Sequence, residues 1–289
     1  MNGTLKNGSH LKCHTEKNII TKVQHPNSKL DAQIMHMFCG NEPRKNIYKY
    51  YNDLLNAKIN VAQIFEIYNS KKNEIIIKQE YIKGYTLHSI QDSRAHDYFA
   101  LNLKFDFLEG LMEMIELLIF IQRKAWIYNK DIRIDLNTKN FIIQENTNKI
   151  IYIDVTPPIY RSAFPERSAY PMNIFLESLD TMEDHWIALY GYLVRPFIKY
   201  ANEYKRGNLN STIIFIRDKL LGYIEKYWGK EREVNFRRKL RECVEDCRYN
   251  VFKERISVID KFLNDSCSLK QLCSKYENLS MASLLIQFS

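Results

Sequence analysis

The chain has 289 residues, enough for one large domain or two smaller ones, each with a buried core. Its 42 basic and 34 acidic residues give a net charge of +8, which suits an anionic ligand or, most simply, a solvated basic surface. Residues 1–22 are polar and the longest apolar run, 117–121, is far too short to cross a membrane. We therefore expect neither a signal peptide nor a membrane partner.

The six cysteines form no C-x-x-C pair. Without a secretory signal, a disulfide framework is not expected. Cysteines that form no disulfides fit a reducing compartment, so we expect a cytoplasmic protein.

The first part of the chain predicts a small β-sheet. Short strands at 11–14 and 19–23 surround a polar turn, and apolar runs at 61–68 and 74–81 form a second hairpin. Residues 30–58 between the hairpins predict a helix. Its apolar positions at near-helical intervals are Ile34, Met35, Phe38, Ile47, Tyr51, Leu54 and Leu55.

After about residue 84 the pattern becomes helical. Residues 105–122 predict a buried helix, and 174–197, 210–228 and 234–262 are long amphipathic segments. The acidic residues within 177–184 could recognise a cationic substrate, although a solvated helix face is the simpler interpretation. We predict an α+β protein with a β-rich part at 1–83 and a mainly helical part at 84–289.

Three polar residues in the segment 131–158 have a notable spacing. Asn140 follows Asp135 by five positions and precedes Asp154 by fourteen, and between them two short apolar strands flank the polar turn 144–149. A hairpin returns its ends to one place, so Asn140 and Asp154 should lie side by side, with Asp135 close to them. The alternative is that Asp135 and Asn140 merely cap turns.

A carboxylate and an amide at one place predict a magnesium site. Mg²⁺ takes few protein oxygens together with nucleotide phosphates. A further carboxylate, here Asp135, can stay off the metal and accept the proton of an attacking hydroxyl.

This arrangement resembles the protein-kinase-like superfamily, whose catalytic loop D-x-x-x-x-N is followed by a metal-binding Asp after a strand pair. It looks most like the aminoglycoside and choline phosphotransferase branch. The resemblance implies a bilobal fold, with Asp135 as the catalytic base and Asn140 and Asp154 as metal ligands. Arg133 stands where the family has His, and we expect an electrostatic role or a salt bridge for it. Val155 follows the metal Asp where protein kinases have Phe-Gly, which favours a small-molecule kinase.

The same resemblance assigns nucleotide-binding roles in 1–83. Lys22, in the β-branched run I-I-T-K, would hold the α/β-phosphates, and Glu42 would be its acidic partner or else a helix cap before Pro43. Gly8 would lie in the nucleotide-covering loop. The Glu80 carbonyl and the Ile82 amide would receive the adenine, with Gly84 providing a turn.

The expected function is an ATP- and Mg²⁺-dependent phosphotransferase that moves the γ-phosphoryl group to a hydroxyl of a small molecule. A divergent protein Ser/Thr kinase and a nucleotide-binding pseudokinase acting as an interaction module are the alternatives. A basic, helical nucleic-acid-binding protein is a further rival, which the moderate charge does not favour.

Overall fold

The computed structural model describes residues 11–16, 18–24, 42–70, 75–155 and 181–248. These ranges contain seven strands and six α-helices. The strands are β1 (Leu11–Glu16), β2 (Ile19–Gln24), β3 (Ile64–Asn69), β4 (Ile75–Glu80), β5 (Gly84–Thr86), β6 (Phe141–Gln144) and β7 (Ile150–Tyr152). The helices are α1 (Pro43–Asn56), α2 (Leu87–Ala100), α3 (Glu109–Tyr128), α4 (Met182–Glu203), α5 (Leu209–Trp228) and α6 (Lys230–Arg248). Short 3-10 helices occur at Phe105–Leu108 and Thr138–Asn140.

The chain divides into two compact units. The first consists of Met1–Thr86, Lys124–Asp135 and Asn140–Glu166, and the second of Leu87–Arg123, Leu136–Lys139 and Arg167–Ser289. All the described strands belong to the first unit, whereas the described part of the second is helical. The predicted α+β class, with a small antiparallel sheet and a mainly helical remainder, is confirmed. The predicted division into 1–83 and 84–289 stays a prediction.

The larger sheet of the first unit has the strand order β1-β2-β4-β3, and all its pairs are antiparallel. Both predicted hairpins are therefore present. Apolar residues of β3, β4 and α1 pack into a buried cluster with Val155, and full burial of one such side chain contributes about 1.5–3 kcal/mol. The buried members are Ile47, Ile64, Ile67, Ile75, Ile77 and Val155.

Helix α1 buries most of the described positions that were predicted to be apolar core, and one position differs. Ile47, Tyr50 and Leu54 are fully buried, whereas Tyr51 is half-buried and Leu55 is 41% exposed. The predicted positions Ile47 and Leu54 are therefore confirmed, and Tyr51 packs against the core cluster. The prediction was wrong for Leu55, and it did not include the buried Tyr50. The first part of the predicted helix, including Ile34, Met35 and Phe38, lies outside the described residues.

Strands β5, β6 and β7 form a second antiparallel sheet. Asn146 and Asn148 adopt positive φ angles of 70° and 52° in the β6–β7 turn, a conformation that asparagine tolerates well. Gly84 is the first residue of β5, where a Cβ would lie 2.1 Å from the Ile143 carbonyl oxygen. The glycine at this position is therefore required by close backbone approach, rather than by the turn that the sequence predicted.

The second unit is organised around packed helices. Gln91 of α2 is fully buried, and its Nε2 donates to the carbonyls of Tyr192 and Leu193 in α4 at 2.7 and 2.8 Å. Helix α4 begins with a capping box between Thr181 and Asp184, and α5 closely matches the predicted segment 210–228. None of the described helices is long and apolar enough to cross a membrane.

Candidate functional site

The hairpin β6–β7 brings the predicted metal ligands to one end of a sheet in the first unit. Phe141 is paired with Tyr152 in the antiparallel register, and the Ile153 amide donates to the Asn140 carbonyl at 2.9 Å. Asn140 therefore ends the 3-10 helix that leads into β6, and Asp154 lies two residues after β7. The two side chains lie at the same place because of local strand pairing, as the sequence predicts.

Asp135 joins this pair through a short hydrogen bond. The Asn140 Nδ2 donates to the Asp135 Oδ2 at 2.8 Å and lies 3.5 Å from the Asp154 Oδ2. All three residues are half-buried. The Asn140 amide nitrogen therefore faces both carboxylates and links Asp135 to Asp154.

The donor set of this site fits Mg²⁺. A carboxylate and an amide oxygen are hard ligands, and Mg²⁺ keeps several waters and takes phosphate oxygens, so two protein donors are sufficient. No group of three or more His, Cys, Asp or Glu side chains that could hold a metal occurs in the described ranges. The described ranges therefore contain no metal site built from such side chains alone. The Asn140–Asp154 pair is the candidate for binding a cation together with a nucleotide.

Lys22 also reaches this region of the first unit. It lies on β2, paired with Cys13 on one side and Ile77 on the other. Its side chain is buried, and Nζ donates to the Ile153 carbonyl at 2.6 Å, one residue before Asp154. A buried ammonium needs such partners, since its desolvation is costly. The structure thus places the Lys22 ammonium of β2 against the backbone segment that carries Asp154.

Arg133 is buried two residues before Asp135. Its guanidinium donates to the carbonyls of Lys130 and Ile132, the latter at 3.1 Å, and its own carbonyl accepts a hydrogen bond from the Tyr50 hydroxyl at 2.7 Å. These bonds fix the backbone of the loop before Asp135. The electrostatic role expected for Arg133 stays a prediction.

Two buried tyrosines beside the site were not predicted as functional residues, although Tyr152 lies in the second of the two predicted apolar strands. The Tyr50 and Tyr152 hydroxyl oxygens are 3.5 Å apart. Burial raises the pKa of Tyr152 well above its usual value, and neighbouring Tyr50, Asp154 and Asp135 raise it further. The phenol therefore stays protonated. For Tyr50, the helical spacing of apolar residues predicts that α1 has a buried face. That spacing alone does not decide whether Tyr50 or Tyr51 lies on the buried face.

The remaining predicted nucleotide-binding residues are placed as follows. Glu42 is the N-cap of α1 with Pro43 at the first helical position, and its carboxylate, 65% exposed, pairs with Lys45 at 2.8 Å. An ion pair between Glu42 and Lys22 stays a prediction. Gly8 lies outside the described residues.

The predicted adenine-binding segment begins at the last residue of β4 and continues into the chain that follows it. Glu80 ends that strand, and its backbone amide donates to the Gln63 carbonyl at 2.8 Å. The Ile82 side chain is buried against Ala62 and Ile151. The binding of adenine by the Glu80 carbonyl and the Ile82 amide stays a prediction.

The acidic residues within 177–184 were predicted to bind a cationic substrate or to form a solvated helix face. The two that the structure describes do neither. Glu183 and Asp184 are buried at the start of α4 and pair with Arg232 at 3.0 Å and Lys239 at 2.5 Å. Both interpretations were wrong for these two residues, because their charges are already compensated inside the second unit. The rest of the segment 177–180 lies outside the described residues.

The sequence matches no protein-family model and no curated protein. Among solved structures, the GDP and kanamycin complex of APH(2")-IIIa is similar with 11% identity and a TM-score of 0.32, covering 76% of this chain and 92% of that chain. A GDP complex of a mutant aminoglycoside 2'-phosphotransferase-IIIa is similar with 11% identity and a TM-score of 0.30, covering 79% and 93%. At these values neither likeness carries an argument about this chain's function.

Proposed function

We propose that the chain is an ATP- and Mg²⁺-dependent phosphotransferase that moves the γ-phosphoryl group to a hydroxyl of a small molecule. The observation that carries this proposal is the convergence of Asp135, Asn140 and Asp154, with Lys22 bonded to the carbonyl next to Asp154. Turn capping alone would not gather residues from β2, the loop after α3 and both ends of a hairpin. We further propose a cytoplasmic protein that works without a membrane or nucleic-acid partner.

Each residue has a distinct task in this proposal. Asn140 and Asp154 would hold the metal, and Lys22 would hold nucleotide phosphates. Bound Mg-ATP supplies the transferable phosphoryl group and a cation that offsets its charge. The protein's own contribution is mostly positioning and electrostatic, because the transition state of phosphoryl transfer is loose.

Asp135 is the residue proposed to touch the acceptor. The Asn140 amide donates to one of its carboxylate oxygens at 2.8 Å, which fixes the plane of the group. The other oxygen would accept the hydroxyl proton of the acceptor while the bond from the acceptor oxygen to the γ-phosphorus forms and the bond from that phosphorus to the bridging oxygen breaks, which releases ADP. Arg133 supports this geometry through its bonds to loop carbonyls.

The proposal is tested by calorimetric titration of the full chain with ATP, with and without Mg²⁺, followed by an ADP-release assay against a library of small alcohols. We expect Mg²⁺-dependent binding and acceptor-dependent ADP release. Binding without turnover of any acceptor would indicate a pseudokinase. Phosphate incorporation into the chain itself, seen by intact mass, would indicate a protein kinase, and absence of nucleotide binding would refute the proposal.

A further inference from the structure

Tyr50 is a buried tyrosine in the middle of α1 whose hydroxyl contacts the loop that carries Asp135. Its side chain has no exposed surface, and its Oη donates to the Arg133 carbonyl at 2.7 Å. This is the usual distance for a good O–H···O bond. Tyr50 and Arg133 are 83 positions apart in the sequence, so the bond ties α1 to the loop within the first unit.

The same hydroxyl also lies next to the strand that carries Asp154. The Tyr152 hydroxyl oxygen is 3.5 Å from that of Tyr50. A phenol has one proton, and that of Tyr50 is donated to Arg133, so Tyr152 must be the donor in this longer, weaker contact. Arg133 stands two residues before Asp135, and Tyr152 two residues before Asp154. One hydroxyl therefore lies between the two segments that carry the carboxylates.

The loop before Asp135 depends on bonds of this kind, because residues 129–137 form neither helix nor strand. The Ile132 amide donates to the Asn129 carbonyl at 3.0 Å, and the Arg133 guanidinium bonds the carbonyls of Lys130 and Ile132. These contacts are internal to the loop. The Tyr50 bond is different because it anchors the loop to a helix from another part of the chain, and catalytic groups must be held to about 0.5 Å.

We propose that Tyr50 is a positioning residue that sets the placement of Asp135, and to a lesser extent of Asp154, by binding the Arg133 carbonyl. The inference rests on the proposed phosphotransferase function for its catalytic consequence, but its structural part is independent of that function. A purely structural tyrosine would lower the stability of the chain without changing the local motion of the loop or the turnover number.

The test compares Tyr50→Phe, Tyr152→Phe and a control, Tyr98→Phe. Tyr98 is also buried, but its hydroxyl bonds the Thr212 hydroxyl at 3.2 Å in the second unit. Amide hydrogen exchange is followed in peptides covering 129–136 and 150–155. Where the unmodified chain turns over, kcat and the KM for ATP are measured as well.

For Tyr50→Phe we expect exchange in 129–136 to rise about tenfold or more, since a buried carbonyl loses its partner. We expect kcat to fall about tenfold or more with the KM for ATP within about twofold, because misplacement affects the transition state most. Tyr152→Phe should change exchange mainly in 150–155 and by a smaller factor. Tyr98→Phe should leave both segments and kcat unchanged.

Unchanged exchange in 129–136 in a folded Tyr50→Phe chain, or an equal rise in Tyr98→Phe, would overturn the inference. If the unmodified chain binds no nucleotide, the proposed function fails while the exchange result still decides the positioning claim. If Tyr50→Phe does not fold, native-state exchange of the unmodified chain decides instead. The Ile132 amide should open together with the amides of α1, and independent opening would contradict the proposal.

Discussion

Gly84 provides a sharp test of the described geometry, because the space for its side chain is already occupied. A Cβ at this position would lie 2.1 Å from the Ile143 carbonyl oxygen and 2.9 Å from the Ile142 Cγ2. Separations under 3.0 Å are essentially never seen, so β5 and β6 must move apart by about 0.9 Å, the difference between 3.0 and 2.1 Å. The obstacle is backbone rather than a flexible side chain, and over-packing of this kind costs about 1–3 kcal/mol.

Gly84→Ala should therefore lower the free energy of unfolding by about 1–3 kcal/mol, measured by urea denaturation. Gly222→Ala is the matched control, because Gly222 lies within α5 and the added Cβ would have no atom within 4 Å other than its chain neighbours and the adjacent backbone of its own helix. Alanine is the better helix former, so this variant should gain about 0.5–1 kcal/mol. The same substitution thus has opposite signs at the two positions. A Gly84→Ala chain as stable as the unmodified one would refute the close approach of β5 and β6.

Three further predictions concern single side chains. Asp135→Asn should lower turnover by about 10²–10⁴-fold while nucleotide affinity stays within about twofold, measured by ADP release and calorimetry; retained turnover would remove its role as base. Lys22→Met should weaken nucleotide binding about tenfold or more, since a charge-assisted contact is lost. Lys78, on the neighbouring strand, forms an exposed ion pair with Glu66 at 2.9 Å, so Lys78→Met should leave nucleotide binding unchanged. Equal effects of the two substitutions in the same titration would contradict the role assigned to Lys22. Burial raises the pKa of Tyr190, whose hydroxyl has no hydrogen-bond partner in the described part of the chain, so Tyr190→Phe should keep or raise the melting temperature, and a clear decrease would show that a partner exists.

Sequence reasoning succeeded where structure is set locally. The hairpin β6–β7 follows from two apolar runs around a polar turn, and antiparallel pairing then places Asn140 beside Asp154. The strands of the larger sheet were predictable for the same reason. Asp135 is close to the pair because it lies only five positions before Asn140 in the sequence.

Contacts between distant segments were not predictable from one sequence. The bond from Lys22 to the Ile153 carbonyl spans 131 positions, and that from Tyr50 to Arg133 spans 83. Tyr50 and Tyr51 are adjacent, so helical spacing alone did not identify which one is buried. Buried charges were also missed, because acidic residues such as Glu183 are normally exposed unless paired, and its partner is 49 positions away.

The most direct test of the proposed site is the dependence of ATP affinity on Mg²⁺ in the unmodified chain, in Asp154→Asn and in Asp131→Asn. Asp131 lies exposed in the loop before Asp135, so its substitution changes the charge equally without touching the proposed metal ligands. We predict that Mg²⁺ strengthens ATP binding in the unmodified chain and in Asp131→Asn, and that Asp154→Asn removes most of this gain. Identical Mg²⁺ dependence in all three chains would contradict the proposed metal site at Asn140 and Asp154.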